Sequence, residues 1–537
     1  MRSARKVLVC SIVLTALAAA MAPPAHSQFF DPAIRSLDLG TGSPVRSARL
    51  LGMGRLALIG GDRDDELSLW DFAGSPAGIY DDDTVSTLTF RPGTDAADGA
   101  HDRFDGIRRQ DLAARSLRLQ FEGFRRDRLS GGVFGVVGAL RSLRFDRPYS
   151  DALARRDEIG VPAIMPILSG RLPYLGGGKV RYALRGRFEG EQAAQQYRLI
   201  QQNAAGQFIS LDGDAANPPD LFEPDDYRVN TTGFGASFAM PVAGGHTAAL
   251  GIDAVTQNIK GSNVGTRHST ERVEGRPYLV GQASMVGRLG ALEYATDGRA
   301  WKANSSEDWR FTVSGGVGAL ALTGRGKLLD REERGSSLDS RIRWRSGSFE
   351  LGGSFFTRAV EATRTPPGAA DRTSFNAFIL SLRNVAGADT LALPDSVVAN
   401  EINDRTFGFA GGLGWTGART RLGAEFHWRR DLRYQQINGT GPERQAWDLR
   451  GGMEFRCNEV LTGRLGYAIS DVDEDTGTRQ NEYTGHGPTL GLGLTPTGAA
   501  WDVQAGWALQ LRQSDFGDPS QQRQSRQNLS VSLHWRF

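Results

Sequence analysis

From about residue 84 onward, apolar and polar residues alternate one by one over long stretches. Leu117, Leu119 and Phe121 share one parity, while Arg118, Gln120 and Glu122 share the other. Val180, Tyr182, Leu184 and Phe188 oppose Arg181, Arg185, Arg187 and Glu189. Leu338, Ile342 and Trp344 oppose Arg341, Arg343 and Arg345. Leu422, Ala424, Phe426 and Trp428 oppose Arg421, Glu425, His427 and Arg429. Trp447, Leu449, Met453 and Phe455 oppose Asp448, Arg450, Glu454 and Arg456. A helix would scatter these charges around its circumference, whereas a strand sorts them onto one face.

Alternation alone also suits a soluble sandwich. Two features point instead to strands in lipid. The alternating runs last about 11–14 residues, enough to cross an apolar layer at a tilt, against about 5–6 in ordinary strands. Connections also alternate between short and long. The short ones are Pro241–Gly245, Ser346-Gly347, Gly417–Arg419, Cys457–Glu459 and Pro496–Ala499; the long ones are 202–226, 361–404, 433–445, 472–485 and 513–524. Tight turns on one side and larger loops on the other mark outer-membrane barrels. The expected fold is therefore all-β: a single antiparallel transmembrane β-barrel of about 14–20 strands, even in number, over residues 84–537. Leu529, Val531, Leu533, Trp535 and Phe537 alternate with polar residues at the end of the chain. A terminal aromatic on the apolar face resembles the signal read by the bacterial barrel-insertion machinery, so Trp535 and Phe537 are the expected insertion elements.

Composition changes the picture little. Mean hydropathy is −0.36 and charged residues are 23% of the chain, values that look soluble. A barrel strand turns only every second residue to lipid, so low mean hydropathy does not oppose the reading. The 68 Gly and the 26 Phe, 11 Tyr and 10 Trp suit turns and interfacial girdles. Residues 1–27 read as a secretory signal: Arg2, Arg5 and Lys6, an apolar run from Val7 to Ala20, and Ala25-His26-Ser27 before cleavage at Gln28. The net charge of +2 becomes −1 once those three cations are removed, so no basic excess argues for nucleic acid. Of the two cysteines, Cys10 lies in that signal, leaving Cys457 without an intramolecular disulfide partner.

Between signal and barrel, residues 28–83 are rich in Gly and Asp. They contain Ala48-Arg-Leu-Leu-Gly52-Met53-Gly54-Arg-Leu-Ala57, then Asp62, Asp64, Asp65 and Glu66, then Ser75-Pro76-Ala77-Gly78-Ile79. This order resembles the start of the FadL-type long-chain fatty-acid transporters and their PorV-like relatives, with Arg55, Ser75 and Ile79 standing where that family has Gly, Asn and Leu. The resemblance spans about 35 residues. It implies that Gly52, Met53, Gly54, Ser75, Pro76, Ala77 and Gly78 belong to a hatch that plugs the barrel from the periplasmic side, with ligand leaving sideways through a wall opening. Irregular backbone at membrane depth must sit within protein or beside water, which agrees with a plug inside the lumen.

Candidate chemistry is sparse. No His or Cys set has metal-ligand spacing, and no Gly-rich phosphate loop ends in Gly-Lys-Ser/Thr. No cofactor and no catalytic residue is expected, and the chain is read as a non-enzyme. The run Asp471-Val-Asp473-Glu-Asp475-Thr-Gly477 to Glu482 partly matches a calcium loop, but Thr476 holds the place of the required Gly; a solvated acidic external loop is the expectation. The charged residues expected to face the lumen are Arg118, Glu122, Arg181, Arg185, Arg341, Arg343, Glu425, His427, Arg450 and Glu454. They either line an anion path or pair with one another, and near-neutral net charge favours pairing. The expected role is a passive transporter of hydrophobic or amphipathic small molecules in the bacterial outer membrane, with lipid and the insertion machinery as partners. The alternative is a structural or docking barrel of PorV type. A general porin and an embedded hydrolase rank lower.

Overall fold

The computed structural model describes residues 48–59, twenty strands, and the turn residues 172, 180, 245, 277, 290–291, 347–348, 368, 417–419, 457–460 and 495–500. The signal 1–27, Ser75 to Gly78 and Phe537 lie outside the described residues. A five-residue helix, α1 (Ala48–Gly52), precedes the strands. The first strands are β1 (Thr87–Asp102), β2 (Arg109–Arg126), β3 (Val133–Ser150), β4 (Leu153–Arg171), β5 (Arg181–Gln202), β6 (Phe208–Ser210) and β7 (Asp225–Val242). Then come β8 (His246–Asn263), β9 (Arg267–Gly275), β10 (Tyr278–Leu289), β11 (Leu292–Val313), β12 (Leu322–Ser346) and β13 (Phe349–Thr365). The last are β14 (Asn400–Thr416), β15 (Thr420–Gln435), β16 (Gly439–Arg456), β17 (Leu461–Asp475), β18 (Gln480–Leu494), β19 (Trp501–Asp515) and β20 (Gln521–Arg536).

Each strand pairs antiparallel with its sequence neighbour, and β1 closes on β20. Two departures set the strand number. β6 pairs only with the end of β5, which itself pairs with β7. β9 and β10 fill one place in sequence: β10 lies between the lower halves of β8 and β11, and β9 between their upper halves. The break falls at Pro277, which has no N–H to give a ladder. Twenty segments thus make eighteen positions around a closed barrel. Closure leaves no edge, the condition for strands to cross a bilayer.

The outward face is apolar in a belt. Phe234, Phe238, Leu250, Leu279, Leu351, Leu413 and Leu492 are among its exposed members, Leu250 by 67%. On β14 the belt runs from Trp415 to Phe407, nine residues, or about 20 Å of height for strands tilted near 40°. Trp344, Phe349, Trp415, Phe455 and Trp535 cluster by the tight turns at its lower margin, as an interfacial aromatic girdle does. Above the belt, outward positions become charged. Glu332 on β12 contacts Lys302 and Arg334 at 2.8 Å each, and their hydrogen bonds hold its carboxyl below the usual carboxylate range. The fold is an outer-membrane-type transmembrane β-barrel.

The expected tight turns lie between strands, with Gly245, Gly347 and Gly498 supplying positive φ, and a further one at Gly290 stands where the sequence marks none. Strand lengths differ from expectation. Apart from β6, β9 and β10, strands have 15–25 residues, and the expected loops 433–445, 472–485 and 513–524 are largely strand. Beyond the belt both faces meet water, so the period-2 signal fades while backbone pairing continues. The acidic stretch is corrected likewise. Asp471 and Asp473 stand on β17 and Glu482 on β18, with Asp473 opposite Glu482, so the calcium-loop geometry is not formed. Their carboxylates lie within 4.8 Å of one another on the outer surface.

Candidate functional site

The described N-terminal residues 48–59 lie inside the barrel near the tight-turn end. α1 is one turn, ended where the Met53 amide donates to the Arg49 and Leu50 carbonyls. Gly54 (φ 78°) and Arg55 (φ 63°) then reverse the chain. Arg55 stands where the resembling family has Gly, the residue for which this conformation is unstrained. Leu51, Met53, Leu56 and Ile59 are fully buried in the lumen.

What lets the segment lie so close is glycine on the inner wall. A Cβ on Gly452 of β16 would overlap the Met53 backbone, one on Gly466 of β17 the Gly54 backbone, and one on Gly506 of β19 the Ala48 carbonyl. Gly491 of β18 meets Gly52 backbone to backbone. Gly423 of β15 and Gly412 of β14 receive the Leu56 and Ile59 side chains. These glycines share one level, a few residues above the turns, and form a trough across adjacent strands.

Polar groups of the wall take the backbone that the segment cannot satisfy itself. The Glu425 carboxylate accepts hydrogen bonds from the amides of Ala57, Leu58 and Ile59 at 2.7–3.0 Å. Three successive amides turned toward one anion make a nest. His427 Nε2 lies 2.8 Å from the other side of the same carboxylate. The Thr489 hydroxyl donates to the Gly52 carbonyl at 3.0 Å and accepts from the Gly54 amide at 2.8 Å. Arg450 donates to the Arg55 carbonyl, and Arg55 reaches Gln510 at 3.2 Å. Arg49 makes a forked pair with Glu454, at 2.7 and 2.9 Å, and Arg464 shares that carboxylate at 2.7 Å. Two charge-assisted bonds from one guanidinium fix both position and orientation.

Of the lumen-facing set, Glu425, His427, Arg450 and Glu454 meet at this segment. Arg343 pairs instead with Glu350 at 3.2 Å, and Arg341 with Asp339 at 3.4 Å. Arg181 stands half-buried at the foot of β5. Arg118 and Glu122 lie on β2, with side chains outside the described residues. Trp535 is half exposed on the outward face of β20. The expected Arg–Glu pairing describes Glu350 and Glu454, while Glu425 binds backbone amides and His427. Arg185 forms a separate network on the other wall. It donates to Asp253 at 2.7 and 2.8 Å and to Gln282 at 2.7 Å, and Gln282 donates back to Asp253 at 2.6 Å. Met165, Ile167, Ala183, Ala239, Ala249 and Val255 are buried on the same inner wall, interleaved with the buried Ser169, Thr231, Ser237 and Ser284, so the surroundings of that network are mixed. Thr489, Arg464, Gln510, Asp253 and the trough glycines carry no motif in sequence. Glycine at inward positions near successive tight turns is the one trace they leave.

No protein-family model and no curated protein matches this sequence. Among solved structures, it is similar to a FadL homologue of Pseudomonas aeruginosa, at 12% identity over 91% of this chain and 98% of that one, with a TM-score of 0.34. It is also similar to the toluene transporter TodX of Pseudomonas putida, at 9% identity over 91% and 98%, with a TM-score of 0.32. OccK2 of Pseudomonas aeruginosa gives 12% identity over 84% and 98%, with a TM-score of 0.32. Identities and scores this low bring neither a ligand nor a mechanism to this chain. The chain's class rests on its own geometry: a closed eighteen-position barrel with a lipid-facing belt and an N-terminal segment seated in its lumen.

Proposed function

We propose that this chain resides in the bacterial outer membrane after loss of residues 1–27, and that it passively conducts hydrophobic or amphipathic small molecules. Residues 28–83 act in this reading as a hatch, with Gly52, Met53 and Gly54 as its seated part. The carrying observation is the contact between that segment and the glycine trough, which narrows the lumen at the tight-turn end. The apolar residues on β4, β5, β7 and β8, interleaved with Ser169, Thr231, Ser237 and Arg185, suit an amphipathic solute. A sideways exit has three candidates in the described wall, two of them the lapses of the β1–β20 ladder at Pro92 and of the β18–β19 ladder at Pro488. The β4–β5 ladder lapses at Pro162 and again at Pro166, where the backbone has no N–H to donate. Trp535 and Phe537 are proposed as insertion elements.

The test is single-channel conductance in planar bilayers, with and without residues 28–83, followed by uptake of fatty acids and aromatic compounds into proteoliposomes. Little current from the intact chain and a large step after deletion support the hatch. A large open pore in the intact chain makes it a general porin. No current in either form, with no uptake, favours the docking barrel, for which the long strands above the belt would supply the contact surface.

A further inference from the structure

Arg358 of β13 has the parity opposite to the outward Leu351 and Phe355, so it points into the lumen, and it is exposed there. Among the described residues it has no hydrogen bond and no ion pair. Neither nearby carboxylate reaches it: Glu333 accepts from the Trp301 indole at 3.1 Å, and Asp339 lies 3.4 Å from Arg341. Gly352, where Ile59 is seated, is six residues nearer the tight turns on the same strand. Arg358 therefore stands about 15 Å above the seated segment, for a strand tilted near 40°.

Trp301 of β11 supplies a flat apolar surface beside that charge. Its partner on β12 is Gly335, and a Cβ there would overlap the ring, so the indole lies across the wall. The bond from Nε1 to Glu333 fixes the ring in its plane. Val360 is the partner of Gly335 on β13, on the same inward face. Trp301 and Val360 are half-buried, so neither is sealed from the lumen. The Arg358 guanidinium carbon is 5.8 Å from the ring centroid, within cation–π range and beyond close stacking.

We propose that Trp301, Val360 and Arg358 form a lumenal binding site for an aryl carboxylate, above the seated segment. The solute's ring lies on the indole and against Val360, and its carboxylate pairs with Arg358. The planar guanidinium presents its N–H donors in a fixed fork that matches a carboxylate, and here no protein acid takes that fork. A hydroxyl in the carboxylate's place brings no charge. An aliphatic body in the ring's place forgoes the ring–ring geometry that the indole offers. This deepens the transport reading, on which its role rests, by naming the solute class. Binding is read without transport, so the two fail separately.

The test is isothermal titration calorimetry on the full chain in nanodiscs, with benzoate, benzyl alcohol and cyclohexanecarboxylate as probes. Benzyl alcohol keeps the ring without the charge, and cyclohexanecarboxylate keeps the charge without the aromatic face. Benzoate should bind saturably and more tightly than either. Arg358→Gln should weaken benzoate by about tenfold or more and leave benzyl alcohol unchanged. Arg358 is exposed and makes no hydrogen bond among the described residues, so this variant should fold as the parent does. In Trp301→Leu, benzoate should fall to the level of cyclohexanecarboxylate. No saturable benzoate binding, equal binding of either comparison probe, or an unchanged Kd in Arg358→Gln would overturn the site and leave Trp301 as a cover for Gly335. Binding as expected without uptake would defeat the transport reading and leave the site standing.

Discussion

Ile59 and Glu425, 366 residues apart in sequence, are joined by a 2.8 Å hydrogen bond from the Ile59 amide to a carboxylate that also holds the two preceding amides. One side chain on β15 thus satisfies backbone that no secondary structure satisfies, and it does so out of water.

Replacing that carboxylate is expected to cost more than its size suggests. A hydrogen bond to a charged group contributes about 1.5–3 kcal/mol, and three amides, that of Ile59 buried, lose their acceptor together. Glu425→Ala should lower unfolding stability by about 3 kcal/mol, and Glu425→Gln by less, since one carbonyl oxygen remains. Denaturant titration followed by tryptophan fluorescence reads both. Equal stability of Glu425→Ala and the parent would remove the nest from the account.

The glycine trough makes a geometric prediction. Gly452→Val places side-chain atoms on the Met53 backbone, so residues 48–59 should lift from the wall and become open to protease. Gly411→Val is the control, because nothing lies within 4 Å of a Cβ there, and its effect should stay within about 0.5 kcal/mol. Limited proteolysis in micelles, with mapping of the N-terminal fragments, checks both. Protection equal to the parent's in Gly452→Val would mean that the segment does not need the trough.

The lipid belt predicts a depth-dependent cost. Leu250 is 67% exposed on the outward face of β8, where in a soluble protein an arginine would be harmless. In a bilayer Leu250→Arg should cost about 2–4 kcal/mol. Reversible folding into phospholipid vesicles gives the number. A change near zero would contradict a lipid-facing position.

Arg55 holds φ at 63°, a conformation that costs a non-glycine residue about 1–2 kcal/mol. Arg55→Gly relieves that strain while forfeiting the 3.2 Å bond to Gln510, an interaction contributing about 1 kcal/mol. The two nearly cancel, so stability should change by less than about 1 kcal/mol. The Arg55 carbonyl, the acceptor for Arg450, is kept by any residue. A large loss on Arg55→Gly would assign the side chain a role beyond Gln510.

The candidate site was legible only in part. Glu425, His427, Arg450 and Glu454 were readable as inward because they alternate with Leu422, Phe426, Leu449 and Met453. That Glu425 meets amides of residues 57–59, rather than an arginine, was not readable. Alternation gives a face and carries no information about what enters the lumen opposite it. The acidic residues 471–482 show the converse error: a local ligand spacing looked like a loop, but cross-strand pairing had already made them strand.

The sequence by itself determined that the belt-crossing stretches are strand, which of their residues face outward, and where most of the described tight turns fall. Those follow from local rules: a side-chain period of two, the need to keep charge out of lipid, and glycine where φ is positive. The tertiary structure alone decided the eighteen positions, the merging of β9 with β10, the full length of the strands above the belt, and the seating of residues 48–59. Each of these depends on groups hundreds of residues apart meeting when the barrel closes. Register and closure are set by the sum of all neighbouring ladders, and no single stretch of sequence holds that sum.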